Sequence, residues 1–215
     1  MKNKRLFTLL LFMILILIMN GCTKKQKEPH EVVDYLKNLS TYQCKVEIDT
    51  KNDREELKYS LKQYCDSSIG YRVEIGDDKV QIHRNNKVYV KDLKNNKKFE
   101  LEEEFNELYS ISFVGEYIKL LYTNDSVDYI IKEIEGKKYQ LIQLLLPGNN
   151  RNLYKAVMYV DLKAYTPEKI VIYDNKEKER VIILYSDFVI NDKIDKSLFN
   201  VEWHKRNLYE GWVYV

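Results

Sequence analysis

Three hydrophobic patterns follow one another along the chain, and each predicts a different kind of element. The first is an unbroken run. Leu6 to Met19 gives fourteen residues with only Thr8 not apolar, preceded by Lys2, Lys4 and Arg5 and followed by Asn20-Gly21-Cys22. A bilayer span needs roughly twenty such residues, so this run suits the core of an export signal instead. The second pattern is helical. From His30 to Leu39 the apolar residues Val32, Val33, Leu36 and Leu39 recur at spacings of three and four, with Pro29 where a first helical turn tolerates a missing N–H.

The third pattern, two-residue alternation, fills most of the remaining chain, from Tyr42–Asp49 and Glu56–Cys65 to Arg180–Ile190. Gly76-Asp77-Asp78, Arg84-Asn85-Asn86, Lys94-Asn95-Asn96 and Gly136-Lys137 separate successive segments with the residues that tight turns require. Strands joined by such turns are antiparallel neighbours, so the series reads as a meander of about ten strands. Residues Tyr139 to Leu146 are apolar enough to read as the sheet centre. Glu102 to Leu121 breaks the alternation: Phe105, Leu108 and Ile111, then Ile118 and Leu121, predict one or two helices with Gly115 at their junction. Ile194 to Phe199 reads as a short closing turn. The last thirteen residues contain Trp203 and Trp212, which either pack on the sheet or form a partner surface.

These elements predict an α+β chain, one large curved antiparallel sheet wrapped around a few helices. The organisation reads as a signal over 1–21, a tether over 22–29 and one domain over 30–215, without internal repeat. Charge adds only an exclusion. Taking the three basic signal residues from 35 Lys+Arg leaves 32 against 33 Asp+Glu, which gives no basic surface for nucleic acid.

A small residue directly before a cysteine at the end of an apolar core marks a lipoprotein signal. The chemistry is diacylglycerol attachment to the Cys22 thiol with cleavage after Gly21; the plainer reading is an uncleaved anchor with an incidental cysteine. Either reading places the domain outside the cytoplasm, tethered to a membrane. Aligning the apolar faces of the first hairpin puts Ile48 opposite Leu57 and Cys44 opposite Leu61. Cys65 then lies about 13 Å beyond Cys44's partner, too far for a disulfide, and two free thiols are expected.

His30, His83 and His204 stand far apart with no metal-binding spacing, and no nucleophile or nucleotide-binding motif occurs. No catalytic, metal or cofactor site is therefore assigned. His83 reads as an exposed or turn-capping residue. Glu102-Glu103-Glu104 reads as a helix start rather than a metal site.

The segment from Tyr159-Val160-Asp161-Leu162 through Tyr165-Thr166-Pro167-Glu168, then Tyr185-Ser186-Asp187-Phe188, Asn191, Ile194-Asp195 and Leu198-Phe199, resembles the end of a LolA-type domain. Within that group the chain is similar to the clostridial GerS family of germination lipoproteins. That resemblance implies a non-enzymatic lipoprotein at the outer face of a membrane, in spores next to the cortex. It would bind and activate an N-acetylmuramoyl-L-alanine amidase of the CwlD type, supporting muramic-δ-lactam formation. LolA-like domains also include lipid and lipoprotein carriers. A carrier needs an unfilled apolar hollow between sheet and helices, which Phe105, Ile111, Phe113, Ile118 and Leu121 are bulky enough to fill. A binding module would instead use exposed strand edges, open to a partner or to strand exchange in a homodimer.

Overall fold

The computed structural model describes residues 27–51, 56–102, 107–123, 127–148 and 150–200. The apolar run, Cys22, Phe105, His204 and both tryptophans lie outside the described residues. Helix α1 (Pro29–Lys37) begins as the sequence predicts, with Pro29 in its first turn. The Glu28 N–H donates to Glu31 Oε2 at 2.7 Å, satisfying one of the donors a helix start leaves open. The helix stops at Lys37, before Leu39, and Leu39 packs into the core from the following turn.

Six strands follow: β1 (Thr41–Lys51), β2 (Glu56–Asp66), β3 (Gly70–Ile75), β4 (Lys79–Arg84), β5 (Lys87–Asp92) and β6 (Lys97–Glu102). Two short helices, α2 (Glu107–Ile111) and α3 (Val114–Leu121), precede β7 (Val127–Ile134), β8 (Lys137–Leu145), β9 (Lys155–Asp161), β10 (Thr166–Tyr173) and β11 (Glu179–Ile190). A 3₁₀ turn, Lys196–Phe199, closes the described chain. The Asn85-Asn86 turn has φ of 54° and 58° at its two residues, the pair of positive values a type I′ hairpin turn requires.

The fold is α+β, and the described residues form eleven strands in one antiparallel sheet ordered β6-β5-β4-β3-β2-β1-β11-β10-β9-β8-β7. This corrects the single meander. There are two, β1–β6 and β7–β11, joined where β11 pairs with β1 in the middle of the sheet. The segment with α2 and α3 therefore carries the chain from one outer edge to the other. β8 is next to an edge rather than central. It is apolar because helices cover Ile142 and Leu144 on the inner face, while Leu141 is buried on the outer one.

Three further readings are corrected. In the first hairpin Ile48 faces Tyr59 and Cys44 faces Gln63, two residues away from the predicted register. Cys65 lies opposite Tyr42, diagonal to Cys44 and much closer than predicted; both thiols are nonetheless free and buried. Gly115 is not a junction. The helices meet at Ser112-Phe113, and Gly115 sits in the first turn of α3, where an added Cβ would lie 2.6 Å from Tyr71 Oη.

His83 is the third. It is buried, not exposed, and its ring meets Phe113 edge-on at 5.4 Å. In β4 the more polar residues take the core face: Gln81 pairs with core residue Val73 and His83 with Tyr71, so both point to the helix side. Ile82 pairs instead with Arg72, whose guanidinium donates to Leu198 O at 2.9 Å. The 3₁₀ turn thus lies over this part of the outer face, and Ile82 is buried there.

Candidate interaction surfaces

The hollow between sheet and helices is where a carrier would hold its cargo, and here the α2–α3 junction occupies it. Phe113, Val114, Tyr117 and Ile118 are almost completely buried, and Ile111 and Leu121 nearly so. Each large apolar side chain buried this way contributes on the order of 1.5–3 kcal/mol, so emptying the hollow is expensive. Polar links from the sheet then fix the junction in place. Tyr185 donates its hydroxyl hydrogen to Ser112 O at 2.7 Å, and Gln63 Nε2 donates to Ser112 Oγ at 2.7 Å. The Val114 N–H donates to Tyr42 Oη at 3.3 Å, and Tyr117 donates to Ile142 O at 2.8 Å.

Burial pushes the hydroxyls of Tyr42, Tyr117 and Tyr185 well above the usual tyrosine range, so all three stay neutral, Tyr117 and Tyr185 as donors and Tyr42 as an acceptor. None of these tyrosines stood out in the sequence. The signal available was an apolar-face position filled by an aromatic with a polar tip, which needs a buried partner.

The outer face carries a shallow pocket of about 380 Å³ lined by Glu47, Tyr139, Glu168, Lys169, Leu184 and Ser186. Beside it, Lys137 bridges Glu168 and Asp161, and Tyr139 donates to Glu168 Oε2 at 2.5 Å. Their mutual pairing raises the Lys137 ammonium above its ordinary range, the Glu168 hydrogen bond foremost. The cluster is internally compensated, a brace across the ends of β8, β9 and β10 rather than a reactive group.

The sheet edges differ. β6 reads KKFELE, with charges between the half-exposed Phe99 and Leu101. β7 places Tyr129, Ile130 and Ile131 in succession at 42%, 49% and 49% exposure. Alternation sends Tyr129 and Ile131 to one face and Ile130 to the other, so this edge is apolar on both sides. An edge strand also offers its outward N–H and C=O groups to another strand.

Of the residues singled out in the sequence, Cys44 and Cys65 lie inside the core, and burial is the main cause that raises both thiols, Cys65 to about 12. His30 is exposed on α1, whereas His83 is buried in β4. Among the described residues no group of three or more His, Cys, Asp or Glu is placed to hold a metal ion. Among them, too, no helix is long and apolar enough to cross a membrane.

Residues 2–199 match the family described as sporulation protein YdcC-like. No curated protein matches the chain. Among solved structures, an uncharacterised conserved protein from Thermus thermophilus is similar at a TM-score of 0.54 and 12% identity, over 80% of this chain and 93% of that one. A chain of the Clostridioides difficile CwlD amidase–GerS lipoprotein complex is similar at 24% identity, over 77% of this chain and 98% of that one, with a TM-score of 0.45. A LolA superfamily protein from Nitrosomonas europaea is similar at 12% identity, over 81% and 98%, with a TM-score of 0.40.

Proposed function

The chain belongs to the YdcC-like sporulation protein family, and from that premise we propose that it is a lipid-anchored, non-enzymatic binding protein of the sporulating cell. Its anchor is Cys22, and its partner is an N-acetylmuramoyl-L-alanine amidase of the spore cortex. The observation that favours binding over carriage is the filled hollow. Phe113, Tyr117 and Ile118 occupy the space that cargo would need, and hydrogen bonds to four strands hold the junction there.

The partner class comes from the sequence resemblance to the GerS family, and the complex of GerS with CwlD is a property of those two proteins. The surface this chain offers such a partner is the β7 edge, where main-chain groups supply affinity and Tyr129, Ile130 and Ile131 supply contact on both faces. The same edge suits strand exchange between two copies, which is the homodimer reading.

The test uses residues 23–215 as bait in extracts of sporulating cells, with an amidase assay on the captured material. The expected result is capture of an N-acetylmuramoyl-L-alanine amidase whose activity rises with added bait. Bait that captures no amidase and carries extractable lipid would overturn this reading in favour of the carrier. Ile130→Lys and Ile131→Glu together are expected to weaken capture at least tenfold, about 1.4 kcal/mol, without unfolding the domain.

A further inference from the structure

The described chain enters the domain at a fixed point. The Lys27 N–H donates to Tyr165 Oη at 3.2 Å, and the Lys27 ammonium lies 5.3 Å from the Tyr35 ring centroid and 5.5 Å from that of Tyr165. The two rings meet edge-on at 6.0 Å. Two residues on, Pro29 O accepts from Gln140 Nε2 at 2.9 Å, a buried side chain of β8. Tyr165 holds φ at 56°, left-handed backbone that a bulky residue rarely adopts, and its N–H closes the β9–β10 turn on Asp161 O at 2.7 Å.

Both this turn and the β7–β8 turn lie at one end of the sheet, tied together where the Leu162 N–H donates to Lys138 O at 3.0 Å. The turns at Gly76–Asp78 and Asp174–Lys178 lie at the other end. Only five peptide units separate Cys22 from Lys27, a reach of at most roughly 17 Å. β8 alone has nine residues, about 30 Å of strand. An inverted placement, with the far end down, is therefore out of the tether's reach.

We propose that the end of the sheet carrying the β7–β8 and β9–β10 turns faces the lipid surface, held in that attitude by a clamp of Tyr35 and Tyr165 on Lys27. The proposal rests on Cys22 as the point of attachment and is independent of any amidase. It gives the lipoprotein a defined orientation: the β10–β11 turn points away from the bilayer, and strand edges run from the membrane outwards.

The test couples residues 22–215 through the Cys22 thiol to phosphatidylcholine vesicles bearing a maleimide lipid and a rhodamine lipid. A fluorescent amino acid is encoded at Lys138 or, in a second protein, at Lys176. Because the attachment is made chemically, the result does not depend on whether cells acylate Cys22. Energy transfer to the bilayer is expected to be at least about twofold greater from position 138, given roughly 30 Å of strand between the ends. Equal transfer from both positions overturns the proposal. Tyr165→Gly removes the ring yet accommodates the left-handed backbone, so the fold is retained and checked by circular dichroism. It frees the tether back to Pro29, a reach of roughly 24 Å, and narrows the difference between the labels. A difference unchanged by Tyr165→Gly overturns the clamp.

Discussion

The hydroxyl of Tyr185 reaches across the core to the carbonyl of Ser112 at 2.7 Å, joining the last strand to the turn between α2 and α3. Both residues are buried, and Ser112 has no exposed surface. The bond therefore stands between the helical junction and an unsatisfied carbonyl in the interior.

Tyr185→Phe keeps the ring and removes the donor. The expected loss is about 1–3 kcal/mol, the penalty of a buried acceptor left unpaired. Urea denaturation should show a lower midpoint with an unchanged slope, because the same surface is exposed on unfolding. A midpoint equal to that of the parent protein would mean that the bond contributes nothing.

Burial is the main cause that lowers the His83 imidazole to about 4, against an ordinary 6.5, with Glu116 opposing the shift. Between those values the unfolded chain takes up a proton that the folded chain refuses. Stability is thus complete above pH 6.5 and falls as the pH drops towards 4, by up to about 3 kcal/mol. Denaturation midpoints measured from pH 7 to pH 4 should follow that decline. His83→Phe should flatten this part of the profile whatever its effect on stability at neutral pH.

Cys44 and Cys65 are buried, and their thiols are raised far above working pH. In residues 23–215 Ellman's reagent should find almost no reactive thiol at pH 8 and two after addition of denaturant. A count of zero in denaturant would contradict the free thiols.

Gly70 stands at φ 140°, and a Cβ there would meet His83 O at 2.1 Å, a backbone atom that cannot step aside. Gly70→Ala is expected to cost about 2–4 kcal/mol by combining steric overlap with backbone strain. Gly136→Ala is the comparison. It shares a positive φ, at 78°, but has open space around the added carbon, and should cost less. Thermal unfolding of the pair separates overlap from strain.

Much of the fold was legible because the local rules agree with one another. Pro29 opens a helix with a single apolar face, and Asn-rich pairs mark tight turns. What escaped has a common physical origin. A strand's period of two fixes which face a residue takes but is indifferent to a slip of two residues, and the first hairpin slipped by that amount. His83 escaped because β4 is buried on both faces, so its more apolar set, Val80 and Ile82, was free to point away from the helices. The pairing of β1 with β11 joins residues about as far apart as the domain allows, and no local pattern encodes it. Among the surfaces, the β7 edge owes its place to the strand order and was not read from the sequence, and the grip of Tyr165 on Lys27 depends on chain segments 138 residues apart.

The central pairing also orders events in time. β1 is the first described strand, yet its partner β11 ends at Ile190, so the β1–β11 pairing cannot close until the last described strand has been made. Until then the chain can form two incomplete meanders but not the core they share, and contacts of such long range are slow to form. For the exported lipoprotein proposed above, one flank of β1 stays open until β11 arrives. An open strand flank accepts any strand that reaches it, so the exposure to mispairing lies at the centre of the sheet rather than at its rim.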